Sequence, residues 1–422
     1  MATQKPVVVV VGGGMGGVET TAGLVNRLDD KAKVVLVSET DELALRPFFI
    51  YPPFSHIFKR RRMTHLGLRK AAASRGVEFQ EWHVDEIDPA AGVIRSDGRQ
   101  QPYDHLILAT GAGMQPSDVP GMTENSETIW GFEDSLHLAK AVEQMIDRAK
   151  RGEKQHVLFN VPENNKCAGP LYEMVFMLET YLRRKKVRDQ FRITWTTFEK
   201  SFIAAFGPKL NERTTQEFNE RDIEAHREKL IERVEPNRAV YKDGTTIDFD
   251  WMISFPPYVG HTRFDSMPTD DRGFIHADPG TWKVRGMENI YVVGDGGDFP
   301  VKQAFLALGM AGTVAHNLAR EIRGEAGHEE FDPLSMCIME QLDAGLYAQV
   351  PLRLTGDPTR AVEVPEERAG DYIVRGSRLW QMGKWGMYMM LALQMGRLRT
   401  FHEGPLWSGM EVMTKGMQKV TN

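Results

Sequence analysis

Residues 7–17 read Val7-Val8-Val9-Val10-Val11-Gly12-Gly13-Gly14-Met15-Gly16-Gly17, five valines running straight into a glycine turn. A continuous β-branched run marks a strand buried on both faces of a parallel sheet. Gly12, Gly14 and Gly17 keep the spacing G-x-G-x-x-G. Gly12 permits the tight turn, Gly14 lets backbone approach a pyrophosphate, and Gly17 lets the next helix pack closely with its N-terminus toward the anion. The pattern predicts a helix over 18–28 and a second strand over 34–37 that ends at Glu39. A carboxylate there holds ribose hydroxyls and repels a phosphorylated ribose. The stretch therefore sets an α/β fold with one dinucleotide site.

The chain of 422 residues, 41% hydrophobic and 26% charged, can bury two or three cores, and nothing in it points to disorder. Its net charge of -6 is mild. The runs Lys59-Arg60-Arg61-Arg62 and Arg183-Arg184-Lys185-Lys186 are short and lack interleaved aromatics, which argues against nucleic acid. Met1 to Pro6 meets the first strand without an apolar leader, so no cleavable signal and synthesis in the cytoplasm are expected. The only cysteines are Cys167 and Cys337, too few for a disulfide framework or a cysteine-rich metal site, and no metal is expected.

Two distant segments extend the site. The strand through Tyr103–Leu108 ends in Ala109-Thr110-Gly111, and the one through Asn289–Val293 ends in Gly294-Asp295. These resemble the ATG and GD motifs of the two-dinucleotide flavoprotein superfamily. The resemblance implies FAD, with Asp295 at its ribityl and pyrophosphate region. It also implies a helix over 301–320 aimed at the ring, with Lys302 and Gln303 at its start, where a cation stabilises negative charge on a reduced flavin.

Where such a chain normally repeats the fingerprint, the strand His156–Asn160 delivers Val161-Pro162-Glu163-Asn164-Asn165-Lys166-Cys167-Ala168-Gly169-Pro170. Proline, glutamate and bulky amides do not suit close backbone approach to a phosphate, so direct use of NAD(P)H is disfavoured. Cys167 suggests another entry for electrons, because a thiol or disulfide beside a flavin takes a sulfur nucleophile and passes two electrons on. The expected organisation is an FAD domain over 1–115 and 286–330 and an inserted second Rossmann-like domain over 116–285. A C-terminal region over 331–422 carries the second cysteine and amphipathic helices. Inside the insert the pattern predicts a strand over 156–160, a helix over 170–186, a strand over 191–197, a polar helical stretch over 212–230 and short strands over 238–253.

Cys167-Ala168-Gly169-Pro170-Leu171-Tyr172-Glu173, with Met336-Cys337-Ile338-Met339, Phe255-Pro256-Pro257 and Lys384, resembles the sulfide:quinone oxidoreductases over nearly the whole chain. The resemblance implies oxidation of sulfide to sulfane sulfur or polysulfide through a Cys167–Cys337 redox disulfide, with electrons passing through FAD to a membrane quinone. It implies proton handling at Glu173, stabilisation of an anionic flavin or quinone by Lys302 and Lys384, and cofactor contacts at Pro47 and Val84. Many members carry a third cysteine before the inserted domain; Thr123 to Leu138 has none. On the residues alone, both cysteines also read as buried small hydrophobes and Glu173 as a helix-surface glutamate.

Three other readings stay open. One is the flavoprotein subunit of a flavocytochrome c sulfide dehydrogenase, which would need a haem partner, a secretory signal and an attachment cysteine near Arg46-Pro47. Another is a type II NADH dehydrogenase, which needs the missing fingerprint. The third is a diverged FAD protein without sulfide activity.

The tail bears on the acceptor. Leu379, Trp380, Met382, Trp385 and Met387–Leu393 make an apolar helix flanked by Arg375, Arg378, Arg397 and Arg399, and Pro405 to Met417 repeats the pattern. The apolar run is well short of the roughly 20 residues that span a bilayer, so a monotopic, interfacial placement is expected, with tryptophans at headgroup depth. A methionine-rich core helix or homo-oligomer contact is the alternative.

Overall fold

The computed structural model describes residues 5–357 and 360–421. The five valines form the central strand Val7–Val11 of a five-stranded sheet, flanked by His105–Leu108 and Ile290–Val292 on one side and by Lys33–Ser38 and Glu78–Glu81 on the other. All neighbours pair in parallel. Val8, Val9 and Val10 are fully buried, which is why the run carries no polar alternation. The following helix begins at Met15, earlier than the apolar pattern indicates, and runs to Leu28 beside the helix Ala304–Arg323. Gly12 has φ 116°, and a Cβ there would lie 2.3 Å from the Ala109 carbonyl oxygen. A Cβ on Gly17 would lie 1.9 Å from the carbonyl oxygen of Gly12, so the helix can meet the turn only without a side chain.

A second parallel sheet holds Glu224–His226, Phe191–Thr197, Gln155–Val161 and Trp251–Ser254, with the helix Gly169–Arg184 following its second-last strand. The polar stretch over 212–230 is not one helix. The helix Gly207–Glu220 stops, Asp222 and Glu228 take left-handed φ of 51° and 55°, and Glu224–His226 pairs with Thr194–Thr196. The open edge of that sheet satisfies the backbone of 224–226, which outweighs the local helical preference. Contacts with the first sheet's elements begin upstream of residue 286. Ile275 bridges Gly297, Lys283 bridges Tyr291, and Trp282 packs edge-on against Phe299.

The C-terminal region is an antiparallel sheet, Leu334–Glu340, Gly345–Pro351 and Ile373–Ser377, followed by helices Arg378–Met395 and Gly404–Val420. Among the described residues no helix is long and apolar enough to cross a membrane. Trp380 is not the exposed tryptophan the tail pattern suggests. It is 1% exposed, its ring stacks on Tyr347 at 4.0 Å, and its Nε1 donates to Thr421 at 3.0 Å. Trp385 is 40% exposed and Met382 and Met389 more so, leaving an apolar outer face.

The two terminal helices are anchored to the fingerprint helix by a buried carboxylate. Glu19 accepts a hydrogen bond from the Phe401 backbone at 2.8 Å, and Arg27 pairs with Glu403. Burial pushes Glu19 up from 4.5 to about 8 despite the Phe401 and His402 amides. A carboxyl whose folded value is raised holds its proton more tightly when folded. Its contribution is complete below 4.5 and is lost as pH rises toward 8, roughly 4–5 kcal/mol at 1.4 kcal/mol per unit. Glu19→Gln is therefore expected to flatten the fall in melting temperature between pH 5 and pH 8.5. An unchanged slope in the variant's thermal melts would assign the pH dependence to other groups.

Candidate functional site

One cavity of about 610 Å³ runs from the glycine turn to the C-terminal sheet. Of the residues expected to hold the cofactor, Gly12, Gly14, Glu39, Pro47, Val84, Ala109, Thr110, Gly111, Gly294, Asp295, Lys302 and Gln303 line it. Gly17 does not; its part is the close contact with Gly12. Cys167, Glu173, Cys337 and Lys384 line the far end of the same cavity, although they come from three separate regions of the sequence.

The near end fits FAD. Side-chain-free backbone at Gly12 and Gly14 leaves room for a pyrophosphate, and a Cβ at Gly14 would meet nothing. Asp295 is raised by burial, opposed by Lys302 and Arg46. Gln303 Oε1 is buried in the wall without a partner among the described residues. Lys302 is 3% exposed, bonds the Gly297 carbonyl and lies 3.9 Å from the centre of the Phe274 ring. Burial lowers it to about 8, against the pull of Asp295. A desolvated cation in that place gains most when a neighbour becomes anionic. Glu39, at the solvent end, sits 2.6 Å from His83 Nδ1.

At the far end, the turn in place of the second glycine loop is held by hydrogen bonds of its own. Asn164 takes φ 63°, and Asn165 Nδ2 donates to the Phe255 carbonyl at 2.7 Å. The Cys167 amide donates to Asn165 Oδ1 at 3.0 Å, which sets Cys167 just before the helix opening at Gly169-Pro170. Asn165 therefore ties the cysteine turn to the Phe255-Pro256 segment; in the sequence it reads only as a bulky amide that blocks a phosphate. Cys337 lies mid-strand, paired with Ala348. The two thiols are free, and each exposes part of its surface to the cavity. Burial pushes both up to about 12; Glu173 adds to this at Cys337 and Lys384 opposes it. As free thiols they hold their protons at neutral pH, so a thiolate forms here only where a reaction generates it.

Glu173 is not a surface residue. It is 5% exposed and pairs with Lys384, itself 3% exposed. Burial raises Glu173, Lys384 opposes the shift, and the Glu340 amide donates to Glu173 Oε1 at 3.1 Å. Ile203, Phe206 and Leu210 supply an apolar wall. Phe202 packs edge-on against Phe218 at 5.0 Å, in the core and away from the cavity lining.

Residues 6–155 match the pyridine nucleotide-disulphide oxidoreductase family. The sulfide-quinone reductase of Aquifex aeolicus (strain VF5) is 26% identical, across 92% of this chain and 89% of its own. The mitochondrial sulfide:quinone oxidoreductase of Mus musculus is 24% identical, across 90% of this chain and 87% of its own. The X-ray structure of the Aquifex aeolicus sulfide:quinone oxidoreductase shares the fold at a TM-score of 0.84 and 20% identity, over 97% of this chain and 96% of that one.

Proposed function

Because this chain is an FAD-dependent oxidoreductase homologous to the sulfide:quinone oxidoreductases, we propose that it oxidises sulfide to sulfane sulfur through Cys167 and Cys337 and reduces a membrane quinone. The observation that carries the reading is the convergence of the chain's only two cysteines on the cavity that begins at the glycine turn.

In the reactive state Cys167 and Cys337 form a disulfide. Hydrosulfide attacks one sulfur, a new S–S bond forms as a persulfide, and the bridging bond breaks with its electron pair on the other cysteine. When bound, FAD would accept the two electrons released as that thiolate forms a new S–S bond with the persulfide sulfur, which loses its proton, and would deliver them to a quinone. Asn165 keeps Cys167 at the opening of the Gly169 helix, whose N-terminus favours the thiolate, and Lys384 favours charge at Cys337. Lys302 compensates charge near Gly297, and the Glu173–Lys384 pair handles the proton at the acceptor end. The apolar outer face of the terminal helices, with Met382, Trp385 and Met389, lies against the membrane surface from which quinone enters.

Anaerobic titration tests the reading. Sulfide is expected to bleach the flavin, NADH to leave it oxidised, and a ubiquinone analogue to restore the colour. Rapid bleaching by NADH with no response to sulfide would sink it.

A further inference from the structure

The two basic runs at 59–62 and 183–186 take no part in the reaction above, yet the fold brings both to one edge of the same helix. Along Arg378–Met395, Met387 and Leu391 face the cavity, while Leu379, Met382, Gly386, Met389 and Leu393 are exposed at alternating spacings of three and four. That spacing makes one stripe down the outer side of the helix. Phe58 packs against Trp385 and Tyr388, both ring centres at 5.4 Å, and the Tyr388 hydroxyl donates to the Met63 carbonyl at 2.7 Å. The first run therefore lies beside the stripe. The second closes on the same edge: Tyr181, just before it, meets Phe54 edge-on at 5.3 Å, and Arg184 and Gln381 both donate to the Leu342 carbonyl.

The charges on this edge are unequally used. In the first run Lys59 is held by Glu143 and Arg61 by Glu42, both at 2.6 Å, whereas Arg60 and Arg62 are exposed with no carboxylate partner among the described residues. Ile57, 55% exposed, precedes them. In the second run Arg183 is taken by Glu179 and Asp343, while the exposed Arg184, Lys185 and Lys186 have no carboxylate partner among the described residues. Single exposed cations are ordinary; a group of them along one apolar stripe, in a chain of net charge -6, calls for an occupant that is both apolar and anionic. A second copy of the chain would present the same stripe with the same excess of cations, so like charge would meet like. A bilayer with anionic phospholipids satisfies both demands, hydrocarbon taking the stripe and Ile57, and phosphates taking the cations.

Resting on the membrane placement proposed above, we infer that Ile57 and the two basic runs form a second membrane-contact element, separate from the terminal helices, which binds the phosphates of anionic phospholipid headgroups. The terminal helices bury apolar surface in any bilayer, and the basic edge makes attachment depend on lipid charge.

The test sediments FAD-loaded protein with vesicles of phosphatidylcholine alone and of a two-to-one mixture of phosphatidylcholine and phosphatidylglycerol. Wild type is expected to bind the mixed vesicles tenfold or more tightly, and the preference should vanish in about 1 M salt, where the screening length shrinks to about 3 Å. Arg60→Gln combined with Arg62→Gln should weaken binding to mixed vesicles about twentyfold, at about fivefold per cation, and leave binding to phosphatidylcholine unchanged. Lys185→Gln with Lys186→Gln should act likewise, whereas Ile57→Gln should weaken binding to both vesicles. Lys31 and Lys154 precede the strands Lys33–Ser38 and Gln155–Val161, at the ends away from the cavity. Replacing both by Gln lowers the net charge equally and should leave binding as in wild type. Bleaching of the flavin by sulfide involves no lipid and should be the same in all variants. Equal binding of wild type to both vesicles, with the basic-run variants unchanged, would overturn the inference and leave the membrane placement standing. Binding to neither vesicle would overturn that placement and the inference with it. A dimer in solution that Met389→Glu dissociates would overturn both by giving the stripe to a second copy.

Discussion

Cys337→Ser is expected to leave the protein folded and yellow and to lower sulfide-dependent flavin reduction by about a thousandfold or more. Loss of a nucleophile or leaving group that acts as part of a unit has effects of this size. Cys167→Ser should do the same, and the double variant should be little worse than either single one, because in the proposed mechanism both cysteines act as one unit. FAD content is the control. The cysteines sit at the end of the cavity away from the glycine turn, so occupancy should match wild type. Stopped-flow reduction with sulfide reads the result directly. Turnover retained in either single variant would make both thiols packing groups, as their burial alone would suggest.

The second large effect is expected from Lys384→Met. Breaking a buried ion pair by removing one partner costs about 3–5 kcal/mol, and quinone reduction should fall by about a hundredfold as proton handling fails. The loss of stability has a sign in pH. Burial already raises Glu173 in the folded protein, and removing Lys384 takes away the chief opposing charge, so it rises further. A raised carboxyl contributes fully while both states are protonated, and that contribution is lost as pH climbs above the ordinary value of 4.5. The variant should therefore lie closer to wild type in melting temperature at pH 5 than at pH 9. Adding Glu173→Gln to Lys384→Met should restore much of the stability at pH 9 without restoring activity. Equal destabilisation at both pH values would mean that lost packing of the lysine stem, and not the stranded carboxylate, dominates.

Much of this site was legible before the fold. The valine run and Gly12, Gly14 and Gly17 encode local requirements, an all-buried strand and a turn without side chains, so their meaning survives without tertiary context. Ala109-Thr110-Gly111 and Gly294-Asp295 obey the same local requirement at two other strand ends. The helix expected over 212–230 failed because a sheet edge captured residues 224–226, a partner the segment's own pattern does not contain. Trp380 failed for a related reason: an apolar helix does not say which side will be covered, and the Tyr347 ring covers that one.

The sequence by itself determined that one dinucleotide site is built, that the second glycine loop is replaced by a cysteine turn, and that the chain has two thiols to work with. Only the tertiary structure decided that Cys167, Cys337, Glu173 and Lys384 share one cavity, that Glu173 is buried against Lys384, and that both basic runs meet one edge of the helix Arg378–Met395. The physical reason lies in sequence separation. Glycine conformation and strand burial are properties of a few consecutive residues, whereas an ion pair between residues 173 and 384 exists only after the C-terminal sheet and helix have closed over the flavin domain.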